Sequence, residues 1–109
     1  MTEFTDYLNE VFEQFGTIQV RKMFGGYGIY HDGIMFGLVA DTMLYLKVDE
    51  SIKDHFLSRG LGAFEYDKKG KTVTMSYHLA PEEIFDDPET ASEWAKRSFE
   101  VALRIKKNR

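Results

Sequence analysis

An α+β fold built on one antiparallel sheet is what this sequence predicts, and three observations carry it. Apolar residues recur at helical spacing near both ends of the chain, around residues 4–15 and 88–107. Between those ends they fall in short alternating runs rich in β-branched and aromatic residues. Short turn sequences separate the runs: His31-Asp32-Gly33, Ala40-Asp41-Thr42 and Lys68-Lys69-Gly70. The resulting order, α-β-β-β-α-β-β-α, predicts a five-stranded antiparallel sheet with the helices packed on one face. At 109 residues the chain reads as a single domain, 1–109, large enough to bury one core without covalent staples.

Phe4, Tyr7, Leu8, Val11, Phe12 and Phe15 form the stripe of the first helix, with Thr2 as its N-cap and Gly16 as its C-cap. Three strands follow, at about 19–30, 34–40 and 43–48, the Asp-Gly pair marking a hairpin. In the third, Leu44, Leu46 and Val48 alternate with Met43, Tyr45 and Lys47, and the first set is expected to face the helices. Asp49 or Ser51 can cap a second helix, Ser51-Ile52-Lys53-Asp54 fits a capping box, and Ile52, Phe56 and Leu57 give its apolar face. Gly60 and Gly62 end it. Residues 64–67 and 72–78 read as a hairpin across Lys68-Lys69-Gly70, in which Val73, Met75 and Tyr77 alternate with polar residues. A short helical turn at about 81–85 precedes Asp87-Pro88, an N-cap followed by N1 of a final helix over 88–107. Its small residues Ala91, Ala95, Ser98 and Ala102 allow close approach to a sheet.

Composition narrows the chemistry. With no Cys, disulfides and thiolate catalysis are excluded, and a reducing cytoplasm is the expected location. No run approaches the length of a membrane span, and the acidic start does not read as a signal peptide. The net charge of −4 is unevenly spread. The last fourteen residues carry six bases against one acid, whereas Glu82, Glu83, Asp86, Asp87, Glu89 and Glu93 form an acidic stretch without a base. An acidic body opposes phosphate binding, so strong direct binding of nucleic acid is not expected. His31, His55 and His78 are too far apart in sequence for a local metal pair, and no Ser or Thr lies in a nucleophile elbow. Gly25-Gly26-Tyr27-Gly28 runs into a strand rather than a helix and lacks the Lys-Ser/Thr ending of a phosphate loop, so it reads as a bulge or sharp bend.

The run Arg21-Lys22-Met23-Phe24-Gly25-Gly26-Tyr27-Gly28-Ile29-Tyr30, followed by Phe36-Gly37-Leu38-Val39 and Leu44-Tyr45-Leu46-Lys47, resembles the N-terminal domain of the TfoX/Sxy family. The resemblance implies an α-β(3)-α-β(2)-α arrangement similar to that of type III secretion chaperones. It also implies a non-enzymatic regulator of competence and transcription without cofactors, working through protein partners such as the transcription machinery or the cyclic-AMP receptor protein. Arg21, Met23, Phe24, Gly25, Gly26 and Gly28 are its signature residues, expected to be structural. Tyr30, Met43 and Tyr45 on the sheet, with Lys96, Arg97 and Arg104 on the last helix, are the expected partner contacts. A self-contained dimerisation or chaperone-like module is the alternative role. A small-molecule domain with a pocket near the glycine bend is a third.

Overall fold

Strand alternation and helical spacing assemble the chain as α1 (Glu3–Val11), β1 (Gln19–Met23), β2 (Gly26–His31), β3 (Ile34–Ala40), β4 (Met43–Lys47), α2 (Lys53–Leu57), β5 (Ala63–Lys68), β6 (Lys71–Leu79) and α3 (Pro88–Lys107), with a 3-10 turn at Glu82–Phe85 before α3. The computed structural model describes residues 3–23 and 25–108. The proposed cap Thr2 and the signature residue Phe24 lie outside the described residues. All neighbouring strands are antiparallel, in the order β1-β2-β3-β4-β6-β5.

The sheet therefore has six strands, not five. What reads as one strand over 19–30 is a hairpin: the chain reverses between Met23, paired to Gly26, and returns along β1. Gly25 has φ +73°, a left-handed backbone that glycine adopts without steric cost. The glycine cluster thus holds a full chain reversal rather than only a bulge or sharp bend, and no Asn or Asp marks the turn.

Residues paired across strands share a face. Val20, Ile29, Gly37, Val39, Leu44 and Leu46 thus face the helices. A bulge where β2 and β3 shift register at Ile29 and Tyr30 lets Phe36 join them. Its ring packs 5.7 Å from Phe12 and 5.1 Å from Phe15. His31, expected in a turn, ends β2 inside this aromatic cluster, 4.7 Å from Phe15 and 5.0 Å from Phe99, with Nδ1 2.7 Å from the Thr17 carbonyl oxygen. The core continues through Leu8, Val11, Ala91, Trp94 and Ala95.

Asp87 caps α3 as expected, its carboxylate accepting from the Glu89 amide at 3.1 Å and the Thr90 hydroxyl at 2.8 Å. Those two bonds, the Thr90 one the larger, hold its carboxyl below the ordinary aspartate range. The capping box over 51–54 does not form at α2. Asp49 instead closes the turn that precedes the helix, accepting from both the amide and the hydroxyl of Ser51 at 2.9 and 2.5 Å. Leu57 points away from the core and is 48% exposed, leaving Phe56 as the buried anchor. Among the described residues no helix is long and apolar enough to cross a membrane.

Candidate functional site

Every strand residue that does not face the helices lies on the opposite side, and among the described residues no helix covers that side. The register puts Met23, Gly26, Gly28, Tyr30, Met35, Leu38 and Ala40 there from β1 to β3, then Met43 and Tyr45 from β4. Phe64 and Tyr66 join them: the Phe64 ring lies 5.0 Å from Tyr45 and stacks on Tyr66 at 6.1 Å. This open face is not flat. A cavity of about 370 Å³ is lined by Met23, Leu38 and Ala40 on one side and by Phe64, Tyr66, Lys68 and Met75 on the other. Strand β4 lies between those two groups in the sheet, so the β5–β6 hairpin curls back over the face to meet β1–β3. The curl explains why Leu38 and Tyr77 are buried despite lying on the side without helices.

Glycine keeps the near wall close. A Cβ added at Gly26 would stand 2.1 Å from the Val39 carbonyl oxygen, a backbone atom that cannot step aside. At Gly28 it would meet the Tyr30 ring at 2.9 Å and the Met23 sulfur at 3.0 Å. Gly25 is free of such neighbours and is needed for its positive φ.

The charges sort by side as well. In the strands, Arg21, Lys47, Lys68 and Lys71 share the open face by register, whereas Glu65 and Asp67 turn to the other side and accept from Thr74 and Thr72 at 3.2 and 3.4 Å. Arg21 lies 4.8 Å over the Tyr30 ring, and Lys47 Nζ lies 4.9 Å from the centre of the Tyr77 ring while donating to Ser76 Oγ at 2.7 Å. Burial first, and then the neighbouring Tyr30, push the Tyr77 phenol up to about 12.

The six expected partner-contact residues divide into two places. Tyr30, Met43 and Tyr45 all lie on the open face, but Tyr30 is level with Met35 at one end and Met43 with Ala40 at the other, where it is 43% exposed. Lys96, Arg97 and Arg104 lie on α3 beyond the opposite side. Arg97 packs over Trp94 at 5.9 Å, joined there by Arg59, which also pairs with Glu83. That hydrogen bond from Arg59 holds the Glu83 carboxyl below its ordinary value. Arg104 donates to Asp49 at 3.1 Å and to Ser51 at 3.2 Å, tying the end of α3 to the β4–α2 turn. Burial raises the Asp49 carboxyl, but the bonds from Ser51 and Arg104 outweigh it and leave it lowered.

The sequence reading did not single out Leu38, Phe64, Tyr66, Lys68 or Met75. Alternation along 64–68 was the available signal, since Phe64, Tyr66 and Lys68 share one side of a strand. Among the described residues no group of three His, Asp or Glu is arranged to hold a metal ion.

The sequence that builds this face is similar to that of known proteins. The chain matches the TfoX N-terminal domain over residues 10–102. It belongs to that family. It is 30% identical to Protein Sxy of Escherichia coli (strain K12) over 94 residues, which cover 86% of this chain and 45% of that protein. It is 33% identical to DNA transformation protein TfoX1 of Aliivibrio fischeri (strain ATCC 700601 / ES114) over 65 residues, 60% of this chain and 31% of the relative. The chain thus spans less than half the length of these two relatives, and the TfoX N-terminal domain accounts for nearly all of it.

Proposed function

We propose that this TfoX N-terminal domain is a non-enzymatic regulatory module of competence and transcription that works in the cytoplasm by contacting a protein of the transcription machinery, with the cyclic-AMP receptor protein as one such partner. Family membership carries the regulatory half of this reading. The observation that supports contact through protein surfaces is the open side of the sheet, which presents Tyr30, Met43 and Tyr45 and over which no helix lies among the described residues. Aromatic and thioether side chains bring large contact area at little conformational cost, which is why interfaces favour them.

The test is co-purification of the tagged chain from its native cells, with Met43→Asp beside the wild type. RNA polymerase subunits or the cyclic-AMP receptor protein should accompany the wild type and be depleted with the variant. Recovery of the chain with itself alone would overturn the reading and favour the second one, a self-contained dimerisation module using the same face. The exposure of Met43 is the specific feature behind that alternative.

A further inference from the structure

The cavity under the β5–β6 hairpin differs from the rest of the open face. Its volume, about 370 Å³, falls in the range of small-molecule sites and is too small for a secondary-structure element of a partner. Its walls are apolar on both sides, and Met23 and Met75 contribute thioethers that adapt their shape to what they enclose. Among the described residues one charged side chain lines it, Lys68 on β5. Among the described residues Lys68 has no ion-pair partner, because the nearest acids in its strand, Glu65 and Asp67, are turned to the other side. Every other charged strand residue on this face is also a cation.

We infer that this cavity binds a small amphiphilic anion, a free molecule with an apolar chain or ring and a single carboxylate. The apolar body fills the space between Leu38, Ala40 and Phe64, and the carboxylate lies at Lys68. A long polyanion fits the molecule poorly, since the chain carries −4 overall and an acidic stretch over residues 82–93. A neutral apolar molecule would leave the lysine unused. This inference stands apart from the regulatory reading above, and either can fail without the other.

The experiment titrates decanoate, and separately decanol, into the full chain by isothermal titration calorimetry below the concentration at which decanoate forms micelles. The wild type should bind decanoate in a saturable one-to-one manner, and decanol more weakly. Lys68→Glu, a change at an exposed position, should weaken decanoate about tenfold or more and leave decanol unchanged. Ala40→Phe should fill the cavity and abolish binding of both, with thermal unfolding confirming that the variant is folded. Absence of decanoate binding to the wild type, or binding indifferent to both substitutions, would overturn the inference. So would a wild-type dimer that Ala40→Phe dissociates, because a second copy would then occupy the cavity. Sedimentation with phosphatidylglycerol vesicles separates a free ligand from a bilayer lipid: the protein should stay in the supernatant, and pelleting that both substitutions abolish would contradict a free ligand.

Discussion

Leu44 and Leu46 point from β4 into the helices and are closed off from water, whereas Met43 and Tyr45, each one residue away, point to the other side and remain accessible. The same strands supply both faces. On the covered face, α3 lays Ala91, Ala95 and Ser98 inward at zero exposure, with Ala102 also buried, so close packing leaves no room. On the open face, the curled β5–β6 hairpin leaves about 370 Å³ between its own aromatic residues and β1–β3. The difference teaches that stability and recognition are divided by strand parity, and substitutions should report which side a residue occupies.

The largest effect is expected at Gly26, where the two faces depend on one close approach between strands. Gly26→Ala places a methyl against the Val39 carbonyl and should cost roughly 3 kcal/mol or prevent folding, read by thermal or urea unfolding. Unchanged stability would show that β2 and β3 are not packed as described. Ala95→Leu comes next. Its site is fully buried on the covered side, so the added methylenes should destabilise by about 2 kcal/mol without changing the mass seen by sedimentation. A near-neutral result would break the contrast between the faces.

Alkaline unfolding examines the inner wall of the open side. The Tyr77 phenol is pushed from an ordinary 10.0 to about 12 in the folded chain, so its contribution is complete below pH 10 and is lost as the pH rises from about 10 to about 12. The loss should be on the order of 2 kcal/mol, and Tyr77→Phe should flatten that part of the stability profile. A profile identical in the variant would mean that Tyr77 is open to water. The smallest shift has the opposite sign. The Ser98 hydroxyl is buried without a hydrogen-bond partner among the described residues, so Ser98→Ala should raise stability by about 1 kcal/mol, measurable as an increase in Tm.

Much of the covered side was legible in the sequence. Helical spacing, the Asp87-Pro88 start and the small-residue stripe locate α3, and alternation in β4 assigns Leu44 and Leu46 to the core. The β1–β2 turn was hidden because Met23 and Gly26 flank it with no polar turn residue, and it shows in the strand pairing and the positive φ of Gly25. The capping box over 51–54 looked sound locally, but Asp49 reaches Ser51 first and is itself held by Arg104 from a helix more than fifty residues away. The cavity was the least legible feature. Sequence places a possible pocket near the glycine bend, yet its other wall depends on how far the β5–β6 hairpin curls, which is set by packing such as Tyr45 on Phe64 rather than by any local motif.

Site-specific photo-crosslinking in living cells tests the division of the two faces most directly. Benzoylphenylalanine is placed at Met43 on the open side in one strain and at Lys96 on the exposed side of α3 in another, with both proteins melting as the wild type does. The account predicts a discrete adduct with a transcription protein from position 43 and none from position 96. An adduct from position 96 alone would place the contact surface on α3 and contradict it.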